Sequence, residues 1–283
     1  MSEEYTVTYR ADNTYENWVN DAFWQFLIIP QENDSQELVE IDFSNSIHAI
    51  NEFSINGYGF NTIRVHPKKK FKEISFEASF KLIKTDINPF DFALEQDHKT
   101  AYTKLQELDF KVNFTSFLKE TRLTKIIGPN YYFEFNKEKS IFQNLQDLNY
   151  WSYKHLQFTT GVTNTNTSLD VVLNLKKGVC QDFAHLFCAL ARLNGIPARY
   201  VSGYLNQGNG YFGDSQMHAW VEAYVPYLGW LAFDPTNNIL ANSNHIKVCH
   251  GKDYNDCPPI KGVIYTKGKN KTTYSVTVTN QQQ

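Results

Sequence analysis

Three observations predict an α+β protein. Alternating, strand-like runs fill the first eighty-odd residues. A helix with clear start and stop signals follows Gly178, and short strands come after that helix without the strand–helix alternation of a doubly wound fold.

The strand reading begins with "YTVTYRA", which alternates apolar and polar residues. In "EISFEASFKL", Ile74, Phe76, Ala78, Phe80 and Leu82 fall on one face, with Ser75, Glu77, Ser79 and Lys81 on the other, the pattern of a half-buried strand. Between these runs "INGYGFN" (55–61) carries Asn-Gly and a second glycine, which suits a loop or hairpin between two strands. An antiparallel β domain over 1–88 is the simplest organisation, leaving 89–283 for a helical lead-in and a second, larger part. After "INPFDF", residues 99–126 mix polar residues with helix formers, and Ile141, Leu145, Leu148 and Leu156 recur at helical spacing. Thr167 or Ser168 is placed to cap a short helix through "LDVVLNLKK" that stops at Gly178. The next helix starts at or near Cys180 and is closed by Gly195 in a left-handed position, with Pro197 beyond it. "ARYVSGYL", "HAWVEAYVP", "GWLAFDP" and "TTYSVTVT" then read as strands.

The chain has 283 residues, 42% hydrophobic and 15% aromatic, enough to fill a core. Its net charge of -3 and the absence of any basic stretch beyond "HPKKKFK" predict no nucleic-acid partner. No apolar run is long enough to cross a bilayer, and "MSEEYTVTYRADNTYENW" lacks a basic segment followed by an apolar one. The expectation is a cytoplasmic protein with no membrane partner, acting on neutral peptides or small molecules. Cys180, Cys188, Cys249 and Cys257 are expected to stay thiols in a chain large enough to fold without disulfides.

The chemistry centres on "GVCQDFAHLFCALARLNG". Cys180 stands at the helix start, where unpaired backbone N–H groups and the positive end of the helix dipole favour a thiolate and offer donors to an oxyanion. Cys188 lies roughly 12 Å further along the axis, among Phe183, Leu186, Phe187, Leu190 and Ala191, and reads as core. His185 is rotated about 140° from Cys180, so it reads as a packed histidine or a support near the site, not as the base. The better base is His218, near the start of one strand, with Asp234 near the end of the next across a "PYLG" turn. Both side chains point the same way only if the connection holds an odd number of residues or a bulge; Asp234 can then fix the imidazole tautomer and leave the other nitrogen facing Cys180. Asp182 is either a helix-end residue favoured by the dipole or a substrate-binding residue. Trp220, on the His218 face of its strand, either walls the substrate channel or packs in the core. The cysteines have C-x7-C spacings and no short clamp, so no metal site is expected, and "GNGYFG" (208–213) has no helix-forming run after it and reads as no phosphate loop.

The blocks "GVCQDFAHLFCALARLNGIPARYVSGYL", "HAWVEAYVPYLGWLAFDPTNN" and "GKDYNDCPPIKGV" resemble the transglutaminase-like superfamily, in particular the bacterial transglutaminase-like cysteine peptidases, and occur in the family's order. The N-terminal β region and "NPFDF" also resemble that group's N-terminal domain. The resemblance implies a papain-like α+β core, a helix bearing the cysteine packed on an antiparallel sheet, with a triad at Cys180, His218 and Asp234 and no cofactor. It implies acyl transfer through a thioester, on a peptide or protein amide substrate, ending in hydrolysis or in transfer to an amine; a non-catalytic binding module on the same fold is the alternative. Trp151 or Tyr153 is a candidate second oxyanion donor, with helix core as the competing reading. Lys252 stands where many relatives have arginine and Cys257 where an aliphatic residue is common, and Asp253 and Asp256 read as ordering a loop beside the site.

Overall fold

The computed structural model describes residues 2–86, 88–90, 98–127, 133–206, 210–213 and 215–281. Parts of the "INPFDF" and "GNGYFG" stretches, residues 87, 91–92 and 208–209, lie outside the described residues.

Alternation builds the first layer. In β1 (Ser2–Val19), Tyr5, Val7, Tyr9, Ala11, Asn13 and Tyr15 are buried while their neighbours face outward. β2 (Asp21–Phe26), β3 (Gln36–Asn45), β4 (Asn51–Ile55), β5 (Asn61–Val65) and β6 (Phe71–Thr85) follow. β4 and β5 form the hairpin expected around "INGYGFN", closed by the Asn56 N–H donating to the Phe60 carbonyl at 2.9 Å, with Gly59 at φ +85°. β6 buries Ile74, Phe76, Ala78, Phe80 and Leu82 on one face, and the same alternation carries Lys84 inward at 3% exposure.

Short helices α1 (His98–Lys104), α2 (Leu108–Asn113) and α3 (Thr115–Leu118) lead to α4 (Ile141–His155). α4 is capped by the Ser140 hydroxyl, which accepts the Gln143 N–H, and it buries Ile141, Leu145 and Leu148. β7 (Gln157–Phe158) and β8 (Lys177–Gly178) pair in parallel around α5 (Leu169–Leu175). The expected cap of α5 differs: Ser168 stands at the N-cap without a side-chain bond, and Lys176 in the left-handed region, not Gly178, closes the helix.

α6 (Cys180–Leu193) is the central helix, ended by Gly195 at φ +76°. It packs on β9 (Ala198–Leu205) and β10 (His218–Val225), with α4 also in contact. β11 (Gly229–Asp234), β12 (Ile239–Leu240) and β13 (His245–Gly251) complete an antiparallel five-stranded sheet in the order β12-β11-β10-β9-β13.

After a 3-10 turn (Tyr254–Asp256), β14 (Ile260–Tyr265) and β15 (Asn270–Gln281) return to the N-terminal strands. β14 pairs with β2, giving the sheet β14-β2-β5-β4, and β15 pairs with β1, giving β15-β1-β6-β3. The first 88 residues therefore share both of their sheets with the end of the chain. Polar clamps join this β module to the core. Gln36 donates to the carbonyls of Gln31 (2.8 Å) and Lys247 (3.0 Å) and accepts the Lys247 N–H (2.7 Å) and the Lys84 ammonium (3.1 Å). Lys84 also donates to the His245 carbonyl. Burial, aided by nearby Lys247 and opposed by Glu222, pushes the Lys84 ammonium down to about 7.

Candidate active site

Cys180 is the first residue of α6 and the most accessible of the four cysteines, all free thiols. The turn before it is shaped by Asp182, whose Oδ2 accepts the Val179 N–H (2.8 Å) and the Thr163 hydroxyl (2.6 Å). Gly178 makes that approach feasible, since a Cβ there would sit 2.6 Å from Asp182 Oδ2. Burial, against those hydrogen bonds, raises the Asp182 pKa. Asp182 is 1% exposed and braces the helix start without lining the cleft, whereas the next N–H groups, of Cys180 and Gln181, belong to the set a helix leaves without internal partners.

His218 opens β10 and Asp234 ends β11. Val225 pairs with Gly229 across Pro226, Tyr227 and Leu228, a three-residue connection, so the odd-number condition is met and both side chains share a face. Tyr227 at φ +70° and Gly229 at φ +86° make the turn. The imidazole Nε2 lies 2.9 Å from Asp234 Oδ2, and both side chains are fully buried. Nδ1 is buried, and among the described residues Cys180 is the side chain that interacts with this imidazole from the cleft side. Nδ1 is packed under Gly213, where a Cβ would come within 2.6 Å, and His218 interacts with Cys180 in the shared cleft. Burial works against the imidazolium, but the Asp234 carboxylate, its hydrogen bond and Cys180 outweigh it and raise the His218 pKa to about 10.

Asp234 has more partners than the sequence disclosed. Oδ1 accepts the N–H groups of Thr236 (3.0 Å) and Asn237 (3.2 Å), an Asx-type turn legible in "DPTN". Oδ2 accepts the Asn237 amide (2.8 Å) and faces a second imidazole, His245 Nε2, at 3.2 Å. His245 Nδ1 accepts the Asn242 N–H (3.2 Å), so Nε2 carries the proton and donates to Asp234. Burial holds His245 below its ordinary pKa despite Asp234. Burial also disfavours the Asp234 charge, yet His218 and His245 together hold its pKa far below the usual carboxylate range. His218, Asp234 and His245 are the one group of potential metal ligands among the described residues, but the nitrogen that His245 turns toward the carboxylate already bears a proton. His245 and Asn237 were not among the residues singled out from the sequence.

The other candidates fall elsewhere. Trp220 is 2% exposed, stacked at 28° on His218 and edge-on to His245, and its ring covers Gly203, where a Cβ would meet it at 2.5 Å; it lies behind the site and not on the cleft wall. Trp151 stacks on His155 with ring centroids 3.5 Å apart, and neither it nor Tyr153 lines the cleft. His185 accepts the Tyr254 N–H (3.2 Å), packs on Tyr200, and is pushed down to about 4 by burial. Cys188 is fully buried, its thiol pushed up to about 11. Asp253 accepts the Asn255 N–H and Asp256 the Lys252 N–H, ordering the loop that carries the 3-10 turn.

Residues 130–235 match the family model of the transglutaminase-like superfamily. An uncharacterized protein of Mycobacterium tuberculosis is 27% identical over 95% of this chain and 90% of its own length. A protein-glutamine gamma-glutamyltransferase of Pseudomonas aeruginosa is 38% identical over 76 residues, 25% of this chain and 11% of that protein. A crystal structure of "a Putative Cysteine Protease from Cytophaga hutchinsonii" superposes with a TM-score of 0.70 at 18% identity, over 100% of this chain and 92% of the other, so the two share a fold throughout. The helix that carries Cys180 and the strands that carry His218 and Asp234 fall within the segment that matches this family model.

Proposed function

We propose that this protein is a cysteine-dependent amide hydrolase working through a thioester, with Cys180 as nucleophile, His218 as acid and base, and Asp234 as the residue that orients the imidazole. The observation that carries the reading is the 2.9 Å contact of His218 Nε2 with Asp234, which leaves Nδ1 for Cys180 at the same cleft. In the first half-reaction the Cys180 thiol gives its proton to His218 Nδ1 and its sulfur attacks the amide carbon, and the negative oxygen is met by the N–H groups of Cys180 and Gln181. The C–N bond breaks, the amine leaves with a proton from His218 Nδ1, and a thioester remains. A water molecule then gives a proton to Nδ1 while its oxygen adds to the thioester carbon; the C–S bond breaks and the carboxylic acid departs. Asp234 stays ionised throughout, and His245 supports it as a positioning residue by donating to the same oxygen.

The local similarity to a glutamyltransferase supports a second ending, in which an amine replaces water. Among the described residues, none lining the cleft forms a device that would exclude water in favour of an amine, so hydrolysis is the primary reading. A panel of peptide and glutamine amides, with and without added primary amine, tests both. The expected result is acid product that disappears in Cys180→Ala. Amide product that dominates at millimolar amine would select the transferase, and equal activity of Cys180→Ala would overturn the nucleophile.

A further inference from the structure

The cleft that holds Cys180, about 530 Å³, is not a property of the core alone: Tyr9 and Asn13 of β1, Trp24 of β2, Ile260 of β14 and Tyr274 of β15 form its opposite wall. Two features of that wall point to what it holds. Asn13 is only 6% exposed, and its Oδ1 accepts the Thr272 hydroxyl at 2.7 Å, which turns the amide nitrogen away from the strand partner; that Nδ2 is buried with no hydrogen-bond partner. A buried donor without a partner among the described residues, on a residue that lines the cleft, is one that a ligand carbonyl can complete. Second, among the described residues none that lines the cleft is Asp, Glu, Lys or Arg; apart from Cys180, His218 and the Met217 thioether, that lining is aromatic, aliphatic, hydroxyl or amide. A charged side chain brought here would lose water and gain no opposite charge from the described lining.

We propose that the β module forms the acyl-side subsite, binding an uncharged, extended peptide segment with a large apolar or aromatic side chain against Tyr9, Trp24 and Tyr274, and taking one backbone carbonyl on Asn13 Nδ2. This rests on the acyl-transfer reading only for the direction in which the peptide lies; recognition itself needs no turnover. The cleft has the size of sites that enclose several ligand groups, not one side chain.

Binding to the full-length Cys180→Ser protein separates the two. Blocked pentapeptides of the form acetyl-Gly-Gln-Xaa-Ser-Gly-amide, with Xaa as Phe, Leu, Lys or Glu, are titrated by calorimetry or by NMR. The Phe and Leu peptides are expected to bind at least about tenfold more tightly than the Lys and Glu peptides. Asn13→Ala should weaken the Phe peptide by roughly fivefold to tenfold, the loss of one hydrogen bond. Tyr274→Glu, at a position 50% exposed, should weaken it and raise affinity for the Lys peptide. Equal affinity for all four peptides, or affinity unmoved by both substitutions, overturns the subsite. Hydrolysis by the wild-type protein is read separately, so failure there would strike the catalytic reading and leave this one standing.

Discussion

Strand β10 carries two buried acid clusters on one face, and they differ in what surrounds the acid. At its start, His218 meets Asp234, and the cluster reaches the cleft through the imidazole, which interacts there with Cys180. Four residues on, beyond Trp220, Glu222 is bonded to Lys247 at 2.7 and 2.8 Å and to Arg199 at 2.5 Å, and it does not line the cleft. Burial disfavours the Glu222 charge, but Lys247 and Arg199 hold it down to about 2. Both acids are charged and dry. The difference lies in the partners: two cations close the Glu222 cluster, whereas the Asp234 cluster uses imidazoles, whose nitrogens can both give and accept a proton, and turns one of them to the cleft residue Cys180. On the proposed reading, the same strand supplies stability at one end and chemistry at the other.

Paired substitutions break that comparison most severely. Asp234→Asn should lower kcat by roughly 10⁴-fold, because the amide favours the wrong imidazole tautomer, while leaving the protein folded. Glu222→Gln should do the reverse: a loss of about 3–5 kcal/mol in stability from two cations left buried, with kcat of the folded fraction nearly unchanged. Urea titration and steady-state kinetics on both proteins measure the cross; equal losses in both columns would dissolve the distinction. A smaller effect sharpens it. His245→Leu removes a donor to a charged acceptor, worth about 1.5–3 kcal/mol, so kcat should fall roughly tenfold to a hundredfold with KM little changed. Because His245 helps to hold Asp234 low, the acid limb of the pH–rate profile should also move up, a change that a purely structural role would not make.

The smallest effect concerns Lys84, which sits between the clusters and ties the β module to His245. Its folded pKa of about 7 lies below the unfolded value of 10.5, so between these pH values the unfolded chain holds a proton that the folded one lacks. Stability from this group therefore rises with pH from about 7 toward 10, and its burial penalty is complete below 7. Thermal unfolding should show wild type gaining on Lys84→Met over that window. Parallel curves would contradict the buried ammonium.

Much of this was legible before the fold. The "GVC" start, the Gly195 stop and the hairpin between His218 and Asp234 are local, and local signals survive in one sequence. What escaped is non-local. His245 reaches the site because β13 pairs with β9, a choice set by the whole sheet and not by any spacing near "NHIKV". Asn13 belongs to an alternating strand whose partner, β15, lies more than 250 residues away in sequence, so neither its burial nor its place opposite Cys180 could be read from the neighbourhood. Lys84 continues an apolar alternation that a lysine at a strand end usually escapes by turning its head to solvent. Asp182 and Trp220 were rightly placed on their elements but packed behind the cleft wall, since sequence gives a face without saying what covers it.

The central claim is covalent, and intact-protein mass spectrometry after a rapid acid quench tests it most directly. Wild type mixed with an activated Gln-Phe ester should gain the acyl mass, mapped to Cys180 and removed by neutral hydroxylamine; His218→Ala should accumulate far less, and Cys180→Ala none. Acyl mass at another residue, or none at any time in a protein that consumes the ester, would contradict the account.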